Sequence, residues 1–516
     1  MSDATDRGIT VTEMAAMDYP IDVLRETTAA FVGRALRGPL NEPVLVHSFG
    51  EFRRRFGDVW SRSSLAPAVR QFFEHGGKRL YIVRVANNAR GAMICLPASG
   101  SALVLRAVEP GSSETIRAAV DYDGVDVGDD QLFNLTLQRI DPLSGLVIDQ
   151  ELFSGVSAIQ GSDSFVADCL LTSSMVRVES PLPTHRPEAT SGVDLAFNMS
   201  YVGHAQEGTD GQELSDYDLV GSRKHQQGLF ALEKIDQFDI LYLPPPGKVR
   251  DLGVTSILAA ERYSRSRGAM LIVDPPVEWE SPQAAVAGVR AQGLASPNLV
   301  SYFPRMLQRG KSGAQARAAG GAFAGLLCKL DRTHGAWRDM SEQGLGFSRD
   351  LLPCVDVDAS QMQTLFRFGL NVIVKGPAGS ARMHGSVTMS RGSESTSQFS
   401  SLPVRRLCLQ LLKSIDEATR WAVFEAENER LAARIRAQVT AYLSCLADLG
   451  AFKDDKFIVE CDAGLRKRND NVDHGFAIFV AFHPRASEEP VSFTLHQTAA
   501  GCRIASTAFA PGRQGR

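Results

Sequence analysis

The chain has 516 residues, of which 44% are hydrophobic and 22% charged, and its formal net charge is -4. This length predicts three or four domains, and the apolar content argues against disorder. A net charge so close to zero gives no electrostatic reason to expect nucleic-acid binding, which usually needs a basic domain or stripe. Likewise, no run approaches the ~18 apolar residues that a membrane span requires.

The N-terminus and the cysteines are typical of a cytoplasmic chain. The first residues are polar and partly acidic, without the apolar segment of a signal peptide. The eight cysteines are scattered and never form Cys-x-x-Cys, which favours reduced thiols over disulfides or a zinc site.

The N-terminal region of the chain predicts an arm followed by an α/β unit. Within residues 1–20, Ile9 and Val11 alternate with threonines, a pattern that either a short strand or a frayed terminus would show. Beyond the arm, apolar periodicity predicts strands at 29–33, 43–48 and 79–85 and helices at 49–56 and 65–75.

The middle of the chain changes from β-rich back to α/β. Short strand patterns at 102–107, 132–139, 147–153 and 175–178 indicate a mostly β region. From 239 to 273 a strand, a helix and a second strand follow within about 35 residues, which is typical of a right-handed crossover between two parallel strands.

A Ser-rich linker at 390–401 precedes the C-terminal segment. Between 428 and 449 the apolar residues recur at helical spacing on one face. Three strand patterns follow at 456–461, 475–482 and 491–497, and the last of them alternates apolar and polar residues with period two. The apolar helix face consists of Leu431, Ile435, Val439, Tyr442, Leu443 and Leu446.

No pattern assembles a catalytic, cofactor-binding or metal-binding site. The glycines at 33 and 38 have P-loop spacing, but Pro39 stands where the phosphate-binding lysine must be. Asp356 and Asp358 lie two residues apart without further oxygen ligands, so a solvated face is favoured over a cation site. The residues therefore give no positive reason to propose enzymatic activity or a cofactor, and neither is expected.

Two long, ordered sets of residues resemble the contractile tail sheath proteins of phages and related injection particles. The C-terminal set is Val404-Arg405-Arg406-Leu407, Ser414-Ile415, Arg420-Trp421-Ala422-Val423-Phe424-Glu425, Asn428, Gly450-Ala451-Phe452, Asp462 and His483-Pro484 with Glu489. The N-terminal set runs from Thr28 to Ala35, through Gly38-Pro39, Asn41 to Val44, and Phe49, Phe52, Phe56 and Gly57, to the stretch 68–85. After Trp337 the chain departs from the family's usual Trp-Lys-Ala-Pro-Ala run.

The resemblance implies a multidomain sheath fold of mixed α+β and α/β character, whose C-terminal strands pair between subunits. The expected organisation is an N-terminal strand-exchange arm (1–20), a first α/β core segment (21–94), an inserted β-rich domain (95–195), a second α/β core segment (196–395), a C-terminal sheath domain with a strand-exchange arm (396–500) and a tail (501–516). Strand exchange between subunits would involve Ile9, Val11, Phe457, Val459, Phe476, Ile478, Val480, Val491, Phe493 and Leu495. The basic residues Lys453, Lys456, Arg466, Lys467 and Arg468 would face an inner tube.

The function implied by the resemblance is that of a structural protomer that forms a helical sheath of stacked, hexameric rings and contracts to drive a tube through a target membrane. Its partners would be further copies of itself, the inner tube protein, and baseplate and terminator or cap proteins, with no nucleic acid and no direct membrane insertion. Assembly would take place in the cytoplasm, and the product would be a phage virion or a phage-tail-like particle.

Two alternatives remain open from the residues. The first is a soluble α/β enzyme that binds a nucleotide or acyl ligand in the crossover unit at 239–276, because ligands of such sheets bind at the carboxyl ends of the strands. The prolines at 244–246 and 275–276 argue against it, since they remove backbone donors that a phosphate would use. The second alternative is a non-contractile capsid or tail-terminator component.

Overall fold

The computed structural model describes residues 21, 25–125, 131–141, 144–190, 200–247, 250–310, 313–376, 379–390, 397–425, 429–461, 476–498 and 501–505. The chain divides into two compact units. The larger comprises residues 26–330 and 340–391, and the smaller comprises residues 1–25, 331–339 and 392–516.

The larger unit begins with the α/β segment and the β-rich region. Its elements are β1 (Thr28–Gly33), β2 (Pro43–Val46), α1 (Phe49–Phe56), α2 (Leu65–Glu74), β3 (Arg79–Arg84), β4 (Met93–Ala98), β5 (Ser101–Ala107), β6 (Thr115–Asp121), β7 (Leu132–Ile140), β8 (Val147–Ser157), α3 (Val166–Cys169) and β9 (Val176–Glu179).

The α/β pattern then resumes. The helix α7 in this series ends in residues 331–333, which belong to the smaller unit. The elements are α4 (Asp216–Val220), β10 (Ile240–Tyr242), α5 (Val254–Ser266), β11 (Met270–Val273), α6 (Pro282–Gln292), β12 (Leu299–Phe303), β13 (Met306–Gly310), β14 (Gly313–Arg317), α7 (Gly320–Thr333), β15 (Gly346–Phe347), β16 (Leu351–Pro353), α8 (Ala359–Arg367), β17 (Leu370–Lys375) and β18 (Ala381–His384).

A nine-stranded sheet forms the centre of the larger unit, in the order β15-β18-β17-β12-β11-β10-β1-β3-β2. Its six inner strands from β17 to β3 are parallel, and antiparallel strands close both ends. Such a sheet is buried on both faces, which explains why β1 and β11 are continuous apolar runs. In β1, Phe31 is fully buried and contacts the rings of Phe72 and Tyr242 edge to face.

The crossover predicted at 239–273 is confirmed, because β10 and β11 are parallel neighbours joined by α5. The predicted β-rich stretch contains two antiparallel three-stranded sheets, β4-β5-β9 and β6-β7-β8. These sheets share a hydrophobic cluster of their own and belong to the larger unit together with the core sheet. The separate domain boundaries at 95 and 195 stay a prediction.

The smaller unit contains two long helices and a four-stranded antiparallel sheet in the order β19-β20-β21-β22. The sequence assigned residues 501–516 to a tail, whereas the structure has a strand at 501–505. A strand forms there because five residue pairs with β21 satisfy its backbone groups. The elements are α9 (Leu402–Thr419), α10 (Glu429–Asp448), β19 (Phe452–Glu460), β20 (Phe476–Pro484), β21 (Val491–Thr498) and β22 (Gly501–Ala505).

Candidate functional site: the C-terminal sheet

The helices α9 and α10 bury their apolar faces against one face of the C-terminal sheet. The α10 residues Ile435, Val439, Leu443 and Leu446 are fully buried, as the helical spacing predicted. Pro403 stands in the first turn of α9, where the missing N–H has no helical partner to lose. This packing gives the sheet a rigid support on one side.

The strand residues predicted to take part in exchange point toward these helices. In the register of the sheet, Val459 pairs with Val480, and Val480 pairs with Phe493. Side chains alternate along a strand, so the partners of neighbouring strands share this face. The eight described members of the predicted set, Phe457, Val459, Phe476, Ile478, Val480, Val491, Phe493 and Leu495, all pack in the hydrophobic cluster of the smaller unit.

In the single chain, β21 pairs with β20 of the same molecule over seven residue pairs. β22 then covers the other side of β21. Among the described residues the edge strands of this sheet are β19 and β22. Pairing of β21 with another subunit stays a prediction, and Ile9 and Val11 lie outside the described residues.

The described basic candidates lie on β19. Lys453 pairs with Glu488, with 2.7 Å between Lys453 Nζ and Glu488 Oε2, and this contact holds the pKa of Glu488 below its ordinary value. Lys456 is exposed and forms no salt bridge within the described residues. The other three candidates, at 466–468, fall outside those residues. A basic surface that faces a tube therefore stays a prediction.

One buried ion pair in the smaller unit was not anticipated from the sequence. Arg406, in the run that carries the family resemblance, donates hydrogen bonds to Asp331, and both side chains are more than 90% buried. Each charge compensates the other in surroundings that exclude water. The two residues are 75 positions apart, so neither periodicity nor a local motif could reveal the pair.

The carboxyl ends of β10, β11 and β12, where the enzyme alternative would place its ligand, are occupied by an internal network. Tyr242 and Tyr302 each donate a hydrogen bond of 2.5 Å to Asp274, and the Gly320 N–H donates a third at 3.0 Å. Burial raises the pKa of Asp274, against the opposing effect of these donors. The carboxylate thereby anchors the start of α7 to the sheet, which is a structural role.

The space beside this network is small. A depression lined by Pro245, Asp251 and Trp279 leaves room for about one water molecule. Binding pockets for drug-sized ligands are usually several hundred Å³. The crossover unit is therefore present, but nothing in this depression favours the enzyme alternative.

The acidic pair at 356 and 358 also has a structural explanation. Asp358 is the N-cap of α8 and forms a reciprocal capping box with Gln361, whereas Asp356 pairs with Lys375 at 2.7 Å. Within the described residues no group of three His, Cys, Asp or Glu side chains is arranged to hold a metal ion. Across the same residues, no helix combines the length and apolarity needed to cross a bilayer.

Comparisons with known proteins show which proteins share this fold. No protein-family model matches the chain. A tail sheath protein of Vibrio phage KVP40 is 28% identical over 147 residues, a match that covers 28% of this chain and 21% of that protein. The matched region thus spans about a fifth of the curated relative's length.

The likeness to solved structures extends over nearly the whole chain. The sheath tail protein of Listeria innocua aligns with a TM-score of 0.60 at 16% identity and covers 92% of this chain and 95% of that one. The sheath tail protein of Desulfitobacterium hafniense gives 0.54 at 13% identity, with 95% and 100% covered. The sheath complex of the extracellular contractile injection system PVC, in its contracted state, gives 0.54 at 13% identity, with 94% and 95% covered.

The protein is a multidomain, mixed α/β protein with several sheets. Its fold is that of the tail sheath proteins, which confirms the resemblance predicted from the sequence. None of these relatives is named as an enzyme.

Proposed function

We propose that this chain is the structural protomer of a contractile sheath. It assembles helically around an inner tube and contracts to drive the tube through a target membrane. The observation that carries the proposal is the likeness to sheath proteins over more than nine-tenths of the chain, because a likeness of this extent includes both the core sheet and the C-terminal sheet.

The C-terminal sheet supports a link between subunits by exchanged strands. Residues 485–490 form a largely exposed connection between β20 and β21, which is where the chain would cross to a neighbouring subunit if the segment from Val491 onward were exchanged. A donated segment would form in a neighbour the same backbone hydrogen bonds and apolar contacts that it forms in its own molecule. Such main-chain links persist while the bodies they connect rotate.

The remaining partners follow from this role. Lys453, Lys456 and Arg466–Arg468 would contact acidic groups on the tube and set its register. Protomers would form stacked hexameric rings that end on a baseplate at one side and on a terminator or cap at the other. The chain would be made in the cytoplasm and would then become a component of a phage or phage-like particle. The energy for contraction would be stored at assembly, so no nucleotide is required.

The proposal is tested by mixing the purified chain with its tube protein and examining the mixture by negative-stain microscopy. Helical rods are expected, and deletion of residues 1–16 or of residues 490–516 should abolish them. Deletion of residues 506–516 alone leaves β21 and β22 in place and serves as the matched control. Failure of the full chain to form rods would overturn the sheath role, while rods that survive both longer deletions would overturn strand exchange only.

A further inference from the structure

Four large apolar side chains of the larger unit are exposed around the start of α5. On α5 itself, Val254 and Leu258 lie one helical turn apart and are 40% and 53% exposed. Tyr217 on α4 is 82% exposed, and Val277, after β11, is 44% exposed. Single exposed apolar residues are ordinary, but several on adjoining segments, one of them a tyrosine, have the composition of a binding surface.

Hydrogen bonds hold the segments that carry these side chains in place. The Gly253 N–H donates to Asp216 Oδ1 at 3.3 Å, and a Cβ at position 253 would overlap that carboxylate, so α4 lies tightly against the start of α5. The Val277 N–H donates to Asp251 Oδ2 at 2.7 Å, and Arg305 pairs with the other oxygen of Asp251. The surface is therefore preorganised, and a partner would not have to order it.

The part of the rim that follows Val277 is acidic. Glu278 and Glu280 are exposed and form no salt bridge within the described residues. A partner that covers the surface must bring positive charge together with apolar area. We call this surface the α5 patch and define it as Tyr217, Val254, Leu258, Val277, Glu278 and Glu280.

The same chain carries a surface of the complementary kind beside the edge strand β2. The last turn of α1 holds three exposed arginines, of which Arg55 pairs with the buried Glu109 while Arg53 and Arg54 face solvent. Arg53 reaches Asp58 only at 3.8 Å, and Arg54 has no salt bridge within the described residues. Val59, shortly after the helix, is 45% exposed. We call Arg53, Arg54 and Val59 the α1 face.

The two surfaces lie at different places on the core sheet. In the strand order β11-β10-β1-β3-β2, four strand spacings separate β11 from β2, or about 19 Å. A contact between two different surfaces of identical chains is heterologous, and heterologous contacts build rings or open helices. This is the type of contact that a helical sheath needs.

We propose that the α5 patch binds the α1 face of a second copy of this chain. The inference rests on the proposed sheath function and identifies a contact between core units that is separate from strand exchange. Tyr217 and Leu258 provide the apolar centre of the contact, and the pairing of Glu278 with Arg54 sets its register.

A charge-swap experiment tests this contact. Glu278→Arg and Arg54→Glu, each alone, should lower the amount of pelletable rods formed with the tube protein at least tenfold at low salt. The chain that carries both changes should recover to within about twofold of the unchanged chain, because opposite charges then face each other again. Asp163→Arg, which reverses an exposed acid of the β-rich region, is the matched control and should assemble normally. Circular dichroism must show that every variant is folded.

The outcomes separate this inference from the proposed function. Normal rods from both single variants, or no recovery in the double variant, would overturn the contact and leave the sheath role intact. If Glu278→Arg loses tube binding but still self-associates in sedimentation, the α5 patch belongs to the tube and the inference is wrong. If the unchanged chain forms no rods, the sheath role fails, and sedimentation of the chain alone, with the same variants, decides whether a second copy binds the patch.

Discussion

The core sheet and the C-terminal sheet end in different ways. The nine-stranded core sheet closes with β2, of four residues, and β15, of two residues, and such short edges offer little backbone for pairing. The C-terminal sheet ends in β19, of nine residues, whose Ile458 side chain is 53% exposed. Within the described residues, the core sheet thus ends in short edge strands, whereas the C-terminal sheet has a long edge on which another strand could pair.

The first prediction concerns the buried centre of the core sheet. Phe31→Ala removes a fully buried ring between Phe72 and Tyr242, and the cavity should lower the free energy of unfolding by about 3–5 kcal/mol. Urea unfolding followed by circular dichroism measures the loss. Val59→Ala, at an exposed position, is the control and should change stability by less than about 0.5 kcal/mol. An equal, small effect of both changes on the free energy of unfolding would contradict the burial of Phe31 in the core sheet.

The second prediction concerns α9, one of the two helices that pack against the C-terminal sheet. Arg406→Met removes the buried partner of Asp331 and should lower the free energy of unfolding of the smaller unit by about 3 kcal/mol. Removing one partner of a buried ion pair usually costs about 3–5 kcal/mol. We expect the lower end of this range because Asp331 keeps other interactions.

Adding Asp331→Asn to Arg406→Met should recover most of the lost stability, since position 331 then carries no unpaired buried charge. Thermal unfolding of the two variants side by side measures the recovery. A double variant no more stable than the single one would show that packing of Arg406, and not its charge, matters.

The third prediction is a pH dependence located in the larger unit. His75 Nδ1 lies 2.7 Å from the Gln71 carbonyl oxygen and must donate to it, while Nε2 accepts from the Ser348 N–H at 3.0 Å. Both ring nitrogens are thus satisfied in the neutral form. Burial lowers the pKa of His75. The positive charge of Lys329 lowers this pKa further, whereas the negative charge of Asp350 raises it. The folded chain consequently resists protonation at this site.

Because the folded pKa is the lower one, the stabilisation by His75 is complete above the ordinary pKa of about 6.5 and is lost as the pH falls from there toward the folded value. The loss amounts to about 1.4 kcal/mol for each unit by which the pKa is lowered. Unfolding midpoints measured between pH 7.5 and 5 should show it, and His75→Gln should flatten the curve in part, because burial also lowers the pKa of His204 and of His496. His47→Gln, at an exposed site, should leave the curve unchanged; the same flattening in that variant would contradict the assignment.

Much of the fold could be predicted from the sequence because it follows periodic burial. The crossover from β10 to β11, the buried face of α10 and the alternation of β21 all repeat a helical or strand period that the residues display directly. The same alternation explains why the predicted exchange residues of the C-terminal strands are found on the inner face of their own sheet.

What could not be predicted depends on contacts between distant residues or on weak patterns. The pairs Asp331–Arg406 and Asp274–Tyr242 join residues that are 75 and 32 positions apart, so no local sequence pattern predicts them. The strand β22 has the sequence Gly-Cys-Arg-Ile-Ala, which lacks a clear apolar alternation, so only its pairing with β21 reveals it. The α5 patch could not be predicted because its members come from three separate segments.

The fourth prediction, with the smallest effect on stability, concerns the edge strand β19 of the C-terminal sheet. Ile458→Lys places a charge on the exposed face of β19, where an added strand would have to bury it. Stability of the isolated chain should change by less than about 0.5 kcal/mol, because the side chain is exposed.

Rod formation with the tube protein should nevertheless fall sharply in Ile458→Lys, since the flanking Lys456 already contributes like charge at this edge. Leu449→Lys, at a 43% exposed position that follows α10, provides the same chemical change away from the edge and should assemble normally. Counting rods by microscopy at equal protein concentrations compares the two variants. Equal assembly by both would mean that the long edge of β19 is not where neighbouring subunits are joined, and the difference between the two sheets would then have no bearing on the assembly.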